Sequence, residues 1–82
     1  MIHPTAHISP TARIADDAEI GPNVIVGERS TIGSGTIVMA NAVIGPWTTI
    51  GNGNKIHYGA IVGHDPQDIG FNGEESYAVI GN

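Results

Sequence analysis

Four histidines and a stretch crowded with turn-forming and polar residues are where this chain could do chemistry. The stretch is Gly63-His64-Asp65-Pro66-Gln67-Asp68-Ile69-Gly70-Phe71-Asn72-Gly73-Glu74-Glu75-Ser76. Asp65-Pro66 and Asn72-Gly73 are turn dipeptides. They place an imidazole, an amide and several carboxylates on one loop. An imidazole serves as a general base or a metal ligand. A carboxylate accepts hydrogen bonds or, paired with a second acid, cleaves glycosides. Glu74-Glu75 has no recognisable partner acid at glycosidase spacing. His57 and His64 lie seven residues apart and no third histidine joins them, so a zinc site built from three imidazoles is not expected. The remaining pair, His3 and His7, opens the chain and reads as surface or cap.

The segment before this loop must position it, and its pattern is strict. Every sixth residue from Ile2 to Val62 is Ile or Val: Ile2, Ile8, Ile14, Ile20, Val26, Ile32, Val38, Ile44, Ile50, Ile56, Val62. Neither a helix nor an ordinary strand demands that spacing. Glycine follows at 21, 27, 33, 45, 51 and 63, and a small or slim residue stands four places on. A hexad cannot bury its own aliphatic side chain, so hexads must stack. Three hexads per turn put residues eighteen apart in one column. Ile2, Ile20, Val38 and Ile56 form one, Ile8, Val26, Ile44 and Val62 another, and Ile14, Ile32 and Ile50 the third. The expected fold is all-β, a solenoid of about four 18-residue coils paired as parallel strands. Its core is filled by aliphatic ladders and leaves no room for a cofactor. The glycines are expected to open the corners, where a positive φ is free to them. His57 takes a glycine position and should point outward. Trp47 falls in a polar slot of its hexad, outward again, which suggests a subunit contact.

The repeat fails after Val62, where Asp68 and Glu74 occupy the next two aliphatic positions. A loop leaving the wall of a regular solenoid is where function concentrates; the alternative is a tolerated surface insertion. Ile80 lies eighteen residues beyond Val62, so the stretch is either one distorted turn or a projecting loop. The chain reads as one β-helical domain over residues 1–82, interrupted at 64–76. Ile80-Gly81-Asn82 opens a new hexad, which predicts a piece from the N-terminal part of a longer protein.

Composition narrows the partners. The net charge is −5, with only Arg13, Arg29 and Lys55 as cations, which argues against nucleic acid. There is no cysteine, so no disulfide frame. No apolar run reaches the length of a membrane span, and Met1-Ile2-His3-Pro4 does not open a secretory signal. A cytoplasmic protein is expected.

The hexads resemble those of the left-handed parallel β-helices of hexapeptide-repeat proteins, and the handedness comes from that resemblance alone. His3-Pro4-Thr5-Ala6, the hexads, Pro66-Gln67-Asp68, Gly73-Glu74 and Ile80-Gly81 together resemble the UDP-N-acetylglucosamine O-acyltransferases of lipid A biosynthesis. The resemblance implies transfer of a 3-hydroxyacyl group from acyl carrier protein to the 3-hydroxyl of UDP-N-acetylglucosamine, by a homotrimer with sites between subunits. It implies that Gln67 and Asp68 line the sugar-nucleotide site; His64 is a substrate-binding candidate because it opens the same loop. The family's general base is a histidine several turns further on, with no counterpart here, so the 82-residue chain alone is expected to be inactive. Two positions depart from the family: Gly70 stands where it usually has lysine, and Glu75 where proline is common. The rival readings are a short stand-alone scaffold and another hexapeptide-repeat acyltransferase.

Overall fold

The structure, a computed structural model, describes residues 1–63 and the strand Ala78–Ile80. Its described elements are eleven short strands. Ten come from the hexads: β1 (His7–Ile8), β2 (Arg13–Ile14), β3 (Glu19–Ile20), β4 (Ile25–Val26), β5 (Thr31–Ile32), β6 (Ile37–Val38), β7 (Val43–Ile44), β8 (Thr48–Ile50), β9 (Lys55–Ile56) and β10 (Ile61–Val62). The last is β11 (Ala78–Ile80).

They sort into three parallel sheets: β1-β4-β7-β10, β2-β5-β8-β11 and β3-β6-β9, the last extended by a bridge from Ile2 to Ile20. Apart from β11, every register step is eighteen residues, as in Ile8↔Val26 and Val26↔Ile44. The three sheets are the sides of a prism, and the fold is a left-handed parallel β-helix. Crossovers between parallel strands are ordinarily right-handed because a helix must pack back on a twisted sheet. Here four-residue corners replace the helix and two-residue strands carry little twist, so that constraint is absent.

The branched residues turn inward as their spacing requires, except Ile2, which lies at the open lower end with no coil beneath it and is exposed. Ile20, Val26, Ile32, Val38, Ile44, Ile50 and Ile56 are buried, and Ile8, Ile14 and Val62 are partly covered at the two ends. The slim positions are buried too, in Ala18, Val24, Ser30, Thr36, Ala42 and Thr48. Their hydroxyls do more than fit. Ser30 Oγ donates to the Gly45 carbonyl at 2.7 Å and accepts from Thr48 N–H at 3.1 Å. Thr36 Oγ1 repeats this with the Gly51 carbonyl and Asn54 N–H. Each hydroxyl ties one coil to the corner above it. Ser30→Ala removes no volume of note but strands the Thr48 amide. It should cost about 1–3 kcal/mol in urea unfolding, the desolvation penalty of an unpaired buried group.

The glycines after the branched residues act differently from the sequence expectation. Gly21, Gly27, Gly33, Gly45 and Gly51 do not have positive φ. At Gly21, Gly27 and Gly33 the next coil's backbone passes directly over the residue and leaves little room for a side chain. A Cβ on Gly27 would stand 2.6 Å from Pro46 N and 2.8 Å from Gly45 C. At the corner holding Gly21 the nearest backbone atom is 3.0 Å away, and there Met39 and His57 replace glycine. His57 is exposed, as expected.

The positive φ sits two residues later. Asn23, Arg29, Gly35, Asn41, Trp47, Gly53 and Gly59 have φ between 57 and 72°. Each is the third residue of a corner turn, where a type II turn needs it. Their amides point at the coil below. Asn41, Trp47, Gly53 and Gly59 donate to the carbonyls of Pro22, Glu28, Ser34 and Ala40. On the first coil side-chain oxygens take over: Thr5 accepts from Asn23 N–H, Thr11 from Arg29 N–H and Asp17 from Gly35 N–H.

The two carboxylate oxygens of Asp17 also share the single O–H of Ser34, at 2.9 and 2.7 Å. The Ser34 hydroxyl, then the Gly35 amide, hold its carboxyl below the ordinary value of 3.8. A lowered folded pKa means stability present above the unfolded value and lost as pH falls through the folded one. Acid unfolding below about pH 4 should therefore be less steep in Asp17→Asn than in the parent chain.

The break in the repeat is resolved by register. Ile80 pairs with Ile50, thirty residues away, where every other step is eighteen. Twelve residues are therefore extra, and the stretch after Val62 is an insertion rather than a distorted turn. With 64–75 set aside, Val62-Gly63-Ser76-Tyr77-Ala78-Val79-Ile80 reads as an ordinary hexad.

Candidate functional site

The insertion opens at one corner of the prism, between the sheet ending in β10 and the sheet ending in β11. The residues below it are stacked corners: Ser9-Pro10-Thr11-Ala12, Gly27-Glu28-Arg29-Ser30 and Gly45-Pro46-Trp47-Thr48. Val62 still holds the regular ladder, its carbonyl accepting from Gly45 N–H at 2.8 Å. Gly63 then leaves it with φ 103°. A side chain there would strike Thr48 Oγ1, so the chain crosses over a buried residue as it departs. Glycine meets both demands, the backbone angle and the close approach. The chain rejoins the wall at β11, beside β8. Both ends of the insertion are thus pinned to one corner.

The predicted site residues His64, Gln67 and Asp68 lie in this insertion, outside the described residues, as do Gly70, Gly73, Glu74 and Glu75. The structure brings together what is beneath them. Trp47 is the top of the described corner column, and its N–H donates to Glu28 O at 2.8 Å. The ring faces outward, as its slot predicted. It is half-buried rather than freely exposed because Arg29, one coil below, lies over it with Cζ 5.0 Å from the ring centroid. That pair escaped the sequence reading. The signal was present, since Arg29 and Trp47 are eighteen residues apart and must stack. Both occupy a turn position that elsewhere above the first coil holds glycine or asparagine.

Among the described residues no three His, Cys, Asp or Glu side chains come close enough to hold a metal ion. No helix among them is long and apolar enough to cross a membrane.

Comparison with known proteins agrees with this geometry. Residues 1–34 and 29–64 match the family described as bacterial transferase hexapeptide (six repeats). The chain belongs to this hexapeptide family. Within it, the chain is 46% identical over 81 residues to the acyl-(acyl-carrier-protein)–UDP-N-acetylglucosamine O-acyltransferase of Psychrobacter sp. (strain PRwf-1), covering 99% of this chain and 31% of that protein. Two crystal structures superpose on it with a TM-score of 0.91. The UDP-N-acetylglucosamine O-acyltransferase of Moraxella catarrhalis RH4 is 47% identical, over 99% of this chain and 32% of its own. The UDP-N-acetylglucosamine acyltransferase of Bacteroides fragilis 9343 is 48% identical, over 100% of this chain and 32% of its own. This hexapeptide chain spans about a third of the length of the relatives it matches.

Proposed function

We propose that this chain is the N-terminal part of an acyltransferase that carries out the first step of lipid A biosynthesis. The whole enzyme moves a 3-hydroxyacyl group from acyl carrier protein to the 3-hydroxyl of UDP-N-acetylglucosamine. One observation carries the reading. Hexads alone would give a likeness to any member of the family, but the likeness here runs across 98–100% of the chain, through the insertion that no hexad dictates.

In this reading the coils are the scaffold and the insertion is the substrate loop. Gln67 and Asp68 line the sugar-nucleotide site and His64 opens it. A carboxylate suits the sugar because it accepts hydrogen bonds from hydroxyls without competing as a donor. A histidine from the rest of the enzyme removes the proton of the sugar 3-hydroxyl. The alkoxide oxygen bonds to the acyl carbon, the carbon–sulfur bond breaks, and the carrier thiolate leaves and takes up a proton. The enzyme works in the cytoplasm as a homotrimer. No metal or cofactor enters the step.

The test is a transfer assay on the product of the uninterrupted reading frame. With UDP-N-acetylglucosamine and a 3-hydroxyacyl carrier protein it should yield acylated sugar nucleotide, while residues 1–82 alone should yield none. A full-length product that binds neither substrate would overturn the reading.

A further inference from the structure

Two of the chain's three cationic side chains, Arg13 and Arg29, line a single groove on the corner column. Among the described residues Pro10, Thr11, Ala12, Thr31 and Trp47 also line it, and its volume is about 520 Å³. That is the size of a small-molecule site. In a protein of net charge −5 such a pairing of cations stands out.

The backbone gives a second, independent sign. Arg29 has φ 57° and Trp47 φ 60°. An L-residue with a side chain in this region carries roughly 1–2 kcal/mol of strain, which asparagine offsets locally and glycine escapes. The other corner positions with positive φ hold only asparagine or glycine: Asn23, Asn41, Gly35, Gly53 and Gly59. The two exceptions are consecutive in one column and face one groove. The turn itself gains nothing from arginine or tryptophan there. Strain that the fold does not need points to a use of the side chains.

Their arrangement fits one use. A cation–π contact, with Arg29 Cζ 5.0 Å from the Trp47 ring centroid, restrains the guanidinium over the ring. A guanidinium so restrained still presents its N–H edge, and that edge takes two oxygens of one anion. Thr11 and Thr31 supply hydroxyls, and Arg13 a second fork. Glu28, the neighbour of Arg29 in sequence, is not part of the lining. We propose that this groove binds a phosphate group of a small anionic ligand, held between Arg13 and Arg29 with Trp47 as the wall. The described residues of this site all lie on the coils, on the corner column from which the insertion departs, and the proposal rests on them alone.

Trp47 is the chain's single tryptophan and lines this groove, so its fluorescence reports on occupancy there. Titrating pyrophosphate at constant ionic strength should give a saturating change in emission. Arg13→Gln and Arg29→Asn should each weaken the response about tenfold or more, the worth of one charge-assisted hydrogen bond. Arg29→Asn should melt at or above the parent temperature, because asparagine suits the turn. Binding lost while stability is kept separates a ligand role from a structural one. The proposal is overturned if pyrophosphate gives no saturating change. It is equally overturned if chloride at the same ionic strength reproduces the change, or if both variants respond like the parent.

Discussion

Ile44→Asp should leave the chain unfolded at 25 °C, with the parallel-sheet circular dichroism lost and amide exchange complete. Ile44 is fully buried in the middle of its ladder, with Val26 below and Val62 above. An aspartate there would be surrounded by aliphatic side chains and the narrow interior offers no partner. Burying an unpaired charge, or protonating it to avoid that, belongs to the few changes that cost more than about 4–5 kcal/mol. Small domains hold only about 5–15 kcal/mol in total. The paired control is Thr49→Asp on the outside of the same coil. Thr49 is exposed, so this change should move stability by about 0.5 kcal/mol or less.

The second large effect concerns glycine. Gly27→Ala should destabilise by about 1–3 kcal/mol, as overpacking does, because its new methyl meets the backbone of Gly45 and Pro46. Backbone cannot step aside as a side-chain tip can; the whole upper coil must lift, and ladder bonds such as Gly27 N–H to Ile44 O must stretch with it. Gly53→Ala makes the opposite case. Its φ is +70°, yet a Cβ there meets nothing within 4 Å. It should cost only the turn strain, about 1 kcal/mol. Equal losses at the two sites in matched denaturant titrations would contradict the close-approach explanation.

These two cases mark what the sequence made legible. The sixfold spacing of Ile and Val placed the core because alternation in a parallel coil leaves each branched residue one direction to point. The glycines were legible as necessary, but for the wrong reason. A one-dimensional pattern shows that a side chain is not tolerated at Gly27; it does not distinguish a strained angle from a neighbour's backbone, which is a contact eighteen residues away. The same gap hid the hydroxyls of Ser30 and Thr36, which look merely small until the carbonyls of Gly45 and Gly51 are placed beside them. The break after Val62 remained open between a distorted turn and an insertion, since only the pairing of Ile80 with Ile50 decides it. Gln67 and Asp68 are legible only through the family resemblance, and His64 only through its place at the start of the loop. The Arg29–Trp47 pair is encoded in the same eighteen-residue spacing that stacks the aliphatic ladders, but on outward corner positions that carry no hydropathy signal.

Removal of residues 64–75 from the full-length protein tests most directly whether the insertion is the substrate loop on an unbroken coil. The deletion joins Gly63 to Ser76 and restores the eighteen-residue step between Ile50 and Ile80. The predicted result is a protein that folds and melts cooperatively near the parent temperature, yet shows no calorimetric binding of UDP-N-acetylglucosamine. Undiminished binding would contradict the loop's role, and a collapsed β-helix would contradict the register on which it rests.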